Sequence, residues 1–214
     1  MGYIFNTKNY ISIIAKKLYK LAFQKASQVW FLNQEDINSF ISEKIIPPSK
    51  AKLLRGEGID LDYFKIHEDA QEEEITFILI GRMLWDKGVG VFANAAKLLK
   101  KKYSKVQFLI LGPIDVNNPK GIPQKQLEEW NNQNIIRYLG ETEDVRNYIN
   151  KCTCVVLPSF YREGVPLCLM EGAASGKPLI TTNNIGCKEV VEDGYNGFLC
   201  EAQNVESLAS AMEK

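Results

Sequence analysis

A chain of 214 residues is long enough for one large domain, or for one domain and part of a second. Its composition, 45% hydrophobic and 24% charged, excludes a disordered chain. Lys+Arg and Asp+Glu each number 26, so the basic excess of a nucleic-acid binder is absent and any anion site must be local.

The first predicted element is a helix over residues 9–25. Ile11, Ile14, Ala15, Leu18 and Ala22 share one face, with Lys16, Lys17 and Lys20 opposite. The apolar face is expected to pack on protein, although a lysine-flanked helix is also the pattern of a peripheral membrane contact. A short strand over 28–32 and a polar helix near 34–43 follow, ended by Pro47-Pro48. Residues 51–54 are expected to be extended, and Arg55-Gly56-Glu57-Gly58 to turn. From Ile75 a regular rhythm begins. Residues 75–80 are a continuous apolar run, as in a strand buried on both faces. Next come a helix over 89–102, a strand over 106–111 stopped by Gly112-Pro113, a helix near 124–132 and a strand over 135–139. A helix near 143–150, a strand over 153–157, a loop and a helix from about 166 to 175 follow. A strand over 179–182, a short helix near 187–192, a strand at 198–200 and a last helix from about 204 close the series.

Strands alternating with helices predict an α/β fold: a Rossmann-like parallel sheet with helices on both faces. Residues 1–55 read as the remnant of one such unit, 56–65 as a linker, and 66–214 as a second unit that stops within a helix. The chain is therefore expected to be a fragment. No apolar run approaches the ~18 residues of a membrane span. Met1-Gly2 starts neither a signal peptide nor, with Asn6, a myristoylation motif. Cys152 and Cys154 lack a second pair at zinc spacing and are read as a buried strand end, with reduced thiols and a cytoplasmic location.

In an open parallel sheet, ligands bind beyond the carboxyl ends of the strands. The loop from Gly81 to Gly88 carries Arg82 and Lys87 there, a guanidinium fork and a point charge suited to phosphate; alone, two such cations in a loop are usually solvated. The loop from Ser159 to Leu167 runs through Glu163 and Gly164 to Pro166, which suits a first helical position. Free N–H groups at a helix start favour an anion, though many helices begin this way without binding one. Projected at 100° per residue, Leu167, Met170 and Ala174 form the apolar face of that helix, with Glu171 inside the stripe. A carboxylate there either meets a polar ligand or serves the helix dipole.

Glu163 and Glu171, separated by seven residues, lie in the block Pro158-Ser159, Arg162-Glu163-Gly164-Val165-Pro166-Leu167, Met170-Glu171-Gly172-Ala173 and Gly176-Lys177-Pro178. This block closely resembles the signature of retaining glycosyltransferases of family 4. The resemblance extends to Gly81-Arg82, Lys87-Gly88, Leu111-Gly112, Leu139-Gly140, Glu189, Asp193-Gly194 and Asn196-Gly197-Phe198-Leu199, covering about residues 50–214. It implies a GT-B fold, two Rossmann-like domains across a cleft, of which this chain holds the C-terminal one. It implies a nucleotide-sugar donor, a sugar or lipid-linked acceptor, and bacterial polysaccharide or glycolipid assembly. By that resemblance Arg82 and Lys87, with Gly81, contact the diphosphate. Glu163 contacts the transferred sugar as the catalytic candidate. Ser159 and the backbone of Gly164, Val165, Pro166 and Leu167 lie beside sugar and phosphate, and Glu171 holds the ribose. No metal or cofactor is expected, and alone the fragment is expected to be inactive. Leu54-Arg55-Gly56-Glu57-Gly58-Ile59-Asp60 departs from the family's proline-bearing linker. Asp60-Leu61-Asp62 matches a metal-binding Asp-x-Asp but falls in the linker, and the lone His67 is read as solvated. A sugar-nucleotide epimerase of the same fold and a non-catalytic nucleotide-sugar-binding subunit are the alternatives.

Overall fold

The computed structural model describes residues 10–54, 56–66 and 74–214; His67 and Arg55 fall outside them. The larger sheet has six strands: β3 (Ile75–Ile80), β4 (Val106–Leu111), β5 (Arg137–Tyr138), β6 (Cys154–Leu157), β7 (Leu179–Thr182) and β8 (Gly197–Cys200). Every pairing in it is parallel. Strand side chains alternate between faces, and here both faces are covered. Phe77 and Leu79 of β3, with Cys154 and Val156 of β6, enter one core with α3 (Val89–Leu99), α4 (Gln124–Asn132) and α7 (Val205–Met212). Ile78 and Ile80, with Val155 and Leu157, enter the other with α5 (Arg146–Lys151) and α6 (Leu167–Ala174). The continuous apolar runs of β3, β6 and β7 exist because these strands have no solvent side.

The strand order is β5-β4-β3-β6-β7-β8. The chain builds outward from β3 in one direction, then returns to pair β6 on the other side of β3, with Ile78 opposite Val155. At that reversal the helices that follow β3 and β6 lie on opposite faces of the sheet, the place where open parallel sheets bind ligands beyond their strand ends.

Residues 10–54 form a smaller unit. It comprises α1 (Tyr10–Ala22), β1 (Val29–Phe31), α2 (Gln34–Ser42) and β2 (Ala51–Leu53), with β1 and β2 parallel. The N-cap Asn33 accepts the Asp36 N–H at 2.8 Å, and Glu35 and Asp36 place negative charge at the positive end of α2. Val29, Phe31, Ile37, Phe40, Ile45 and Ile46 make its core.

The helical period of α1 is as expected, but its facing is not. Ile11, Ile14 and Leu18 are 63%, 57% and 60% exposed. Tyr19 and Phe23 point inward instead, their rings 5.7 and 6.1 Å from that of Phe40. Lys16 pairs with Glu43 at 2.7 Å. Aromatic packing on Phe40 chose the buried face over the aliphatic stripe. Several element ends also move. The helix predicted to 102 ends at Leu99, the strand at 135–139 shortens to Arg137–Tyr138, and the helix near 187–192 is a single 3-10 turn, Cys187–Glu189. Among the described residues no helix is long and apolar enough to cross a membrane.

Candidate functional site

The β3 loop reaches the β6 loop because Gly88 permits it. Gly88 has φ 77, and a Cβ there would stand 2.0 Å from the carbonyl oxygen of Pro158. Only glycine allows both that conformation and that approach. The Asp86 carbonyl then accepts the N–H groups of Phe160 and Tyr161 at 2.9 and 3.0 Å. The Asp86 carboxylate pairs with Lys120 from the loop after β4.

This lock brings three predicted residues together. Lys87 Nζ lies 2.6 Å from Glu163 Oε1, and the Ser159 hydroxyl donates to the same oxygen at 2.8 Å. Ser159 is fully buried, and the Lys87 and Glu163 side chains are only 17% and 10% exposed. An ion pair this enclosed needs the extra hydroxyl bond to offset its desolvation. The cluster lies beyond the carboxyl ends of β3 and β6, at the strand-order reversal.

Beside it runs the start of α6. Pro166 is the N-cap rather than the first helical residue and offers no side-chain cap. A helix leaves its first N–H groups without internal partners, and in α6 these follow directly on the loop bearing Gly164 and Val165. Gly164 is squeezed from two sides. A Cβ on it would stand 2.7 Å from Leu32 Cδ1, and a Cβ on Gly186 would stand 1.7 Å from the Gly164 carbonyl oxygen.

The inner face of α6 differs from the projected one. Leu169 and Gly172 are buried against the sheet, whereas Leu167 is 47% exposed. A Cβ on Gly172 would stand 2.9 Å from Val155 Cγ2, so the glycine lets the helix settle on β6 and β7. Met170 turns toward Gly56 instead. Glu171 is half-buried on the flank, its carboxylate in no hydrogen bond or ion pair with the described residues, and desolvation raises its pKa. Cys168 lies between the two glutamates electrostatically. Desolvation pushes its thiol up to about 12, Lys87 opposes that rise, and Glu171 and Glu163 add to it.

Arg82 stands apart. It is 55% exposed and leans on Asp115 at 3.3 Å, in the loop after β4. Gly81 donates its N–H to Leu111. Asp60 accepts the N–H groups of Asp62 and Tyr63, capping a turn. Cys152 and Cys154 are buried at the start of β6, as read from their spacing. Sequence reasoning missed the contact of the smaller unit with the loops after β6 and β7, where Arg162 pairs with Asp36 and Lys188 with Glu35. Its only sequence trace is the capping pattern of Asn33 and Asp36.

Solved structures share the fold. A protein of Anabaena, Alr3699/HepE, in complex with UDP superposes with a TM-score of 0.82 at 20% identity, over 97% of this chain and 59% of its own. Among curated relatives, the N,N'-diacetylbacillosaminyl-diphospho-undecaprenol alpha-1,3-N-acetylgalactosaminyltransferase of Campylobacter jejuni is 29% identical over 94% of this chain. The UDP-Gal:alpha-D-GlcNAc-diphosphoundecaprenol alpha-1,3-galactosyltransferase of Escherichia coli is 26% identical over 94%. The chain spans 54% of the length of each. The sequence of residues 74–214, most of the chain and all of the six-stranded sheet, matches the family described as glycosyl transferases group 1. The chain belongs to that glycosyltransferase family.

Proposed function

We propose that this chain carries the nucleotide-sugar-binding half of a retaining glycosyltransferase of family 4. Residues 66–214 are the donor unit, 56–65 the linker, and 1–55 part of the acceptor-side unit of a GT-B arrangement. The observation that carries this reading is the meeting of Lys87, Ser159 and Glu163 at the strand-order reversal, beside the uncapped start of α6.

In this reading the donor diphosphate lies across the α6 N-terminus, with Lys87 on one side and Arg82 at the rim. An ammonium has three donors, so Lys87 can keep Glu163 and still reach a phosphate oxygen. The leaving diphosphate gains charge as the glycosidic bond breaks, and these fixed cations and amides stabilise that charge with no metal required. Glu163 faces the transferred sugar and holds it; it is not assigned as a covalent nucleophile. Glu171 accepts from ribose hydroxyls, which gives its half-buried carboxylate the partners it otherwise lacks. The Escherichia coli relative is named for a UDP-Gal donor and, like the Campylobacter jejuni one, for a diphospho-undecaprenol acceptor. A UDP-sugar donor and a lipid-linked acceptor, met at the cytoplasmic face of a bacterial membrane in polysaccharide or glycolipid assembly, follow as proposals for this chain.

Calorimetric titration of UDP into the 214-residue chain tests the cation assignment. Even weak binding serves, since only ratios are compared. Lys87→Ala and Arg82→Ala should each cost about 1.5–3 kcal/mol, roughly 10- to 150-fold in affinity. Unchanged affinity in both variants would remove the diphosphate from this crevice.

A further inference from the structure

Arg162 precedes Glu163 but serves a different contact. Its Nε and Nη2 both donate to Asp36 Oδ1, at 3.0 and 2.5 Å, and Nη2 also reaches the Ser39 hydroxyl at 3.1 Å. The other Asp36 oxygen accepts Asn33 Nδ2 at 3.1 Å. Asn33 is fully buried, and Arg162 and Asp36 are mostly so. From the far side, the Glu163 N–H donates to the Ile185 carbonyl at 3.3 Å. Lys188, three residues on from Ile185, pairs with Glu35 at 2.7 Å. Residues 162–164 are thus held between α2 and residues 184–188. One residue anchors the loop on the smaller unit, and the next carries its carboxylate to Lys87 and Ser159.

We propose that Arg162 is a positioning residue: clasped by Asp36, it fixes the loop backbone so that the Glu163 carboxylate stands where the transferred sugar must lie. The sugar role rests on the reading of Glu163 given above; the clasp does not. Breaking a mostly buried, charge-assisted pair leaves its partner uncompensated, so the loop shifts instead of losing one surface contact. Through this clasp the sugar-facing carboxylate depends on how the smaller unit sits against the larger.

Two measurements on the 214-residue chain test it, with Arg162→Met, Asp36→Asn, their double variant and Arg162→Lys. The first is calorimetry with UDP and, separately, UDP-glucose, UDP-galactose and UDP-N-acetylgalactosamine. Arg162→Met and Asp36→Asn should keep UDP affinity within about twofold, and each should weaken the tightest UDP-sugar by about fivefold or more. The double variant should add nothing further, and Arg162→Lys should recover part of the loss. The second needs no ligand. The coupling between Lys87 and Glu163, from urea unfolding of Lys87→Met, Glu163→Gln and the pair, should drop by about fivefold or more in the unfolding constant once Arg162 is replaced by Met, and by less once it is replaced by Lys. An undiminished coupling, or equal weakening of UDP and UDP-sugar by Arg162→Lys, would overturn the positioning role. A chain that binds none of these nucleotides yet loses the coupling would keep Arg162 as the clasp on Glu163 and overturn the glycosyltransferase reading instead.

Discussion

Glu163 and Glu171 meet opposite surroundings. Glu163 has an ammonium and a hydroxyl on one oxygen, whereas Glu171 is half-buried with neither. The folded pKa of Glu171 therefore lies above its ordinary value of 4.5. For a carboxylate raised on folding, the native state binds more protons than the unfolded one, so ionisation costs stability. That cost is absent below the unfolded pKa and fully present above the folded one. Glu171→Gln should accordingly stabilise the ligand-free chain at neutral pH, with the gain fading as pH falls through the raised folded pKa and gone below pH 4.5. Urea unfolding at both pH values decides this, and a gain of equal size at each would contradict the desolvation cause. Such a cost in the free protein is what a group held for a ligand should show. At this scale the motif pointed to Glu163, Lys87, Ser159 and Glu171. Their pairing was not legible, because a spacing states which residues are near in sequence and says nothing of which oxygen receives which proton. Asp36 and Arg162 lie 126 positions apart, and neither residue type signals the other.

Among the elements, the two loops of the crevice depend on Gly88. Replacing it with alanine forces φ 77 on a residue with a Cβ and drives that Cβ into Pro158. The backbone conformation alone should cost about 1–3 kcal/mol. Unlike a change confined to a remote turn, Gly88→Ala should also weaken UDP binding, since Lys87 is its neighbour. A stable variant with unaltered UDP affinity would mean that the close approach of the loops is dispensable. Elements were legible wherever an apolar run had one interpretation, as for β3 and β4, whose bounds agree with the expected ones. Facing was less so. The short helix α6 offers Leu167 and Met170 as an apolar stripe, yet the side that docks is the one bearing Gly172, where the backbone can approach β6. Hydrophobicity ranks methionine over glycine, whereas close packing on a sheet can prefer the residue with nothing in the way. At α1 the aliphatic stripe lost to Tyr19 and, just past the helix end, Phe23 for the same kind of reason: their partner, Phe40, belongs to another element.

For the whole molecule, the alternation of strands and helices disclosed a parallel sheet with two covered faces. Sheet order lies in long-range pairing, such as Ile78 with Val155, which no local pattern encodes. That order gives the site its meaning, because it sets Lys87 from one loop against Glu163 from another. The central claim, a nucleotide-sugar bound across this crevice with the ribose at Glu171 and the sugar at Glu163, is tested most directly by one calorimetric comparison. UDP and its tightest-binding UDP-sugar are titrated into the unaltered chain, Glu163→Gln and Glu171→Gln. Ribose contacts persist in the free nucleotide, so Glu171→Gln should weaken both ligands by about tenfold or more. Glu163→Gln should leave UDP within about twofold and weaken only the UDP-sugar. Loss of UDP on Glu163→Gln with full retention on Glu171→Gln would contradict the assignment, and identical behaviour of all three proteins would place the nucleotide elsewhere.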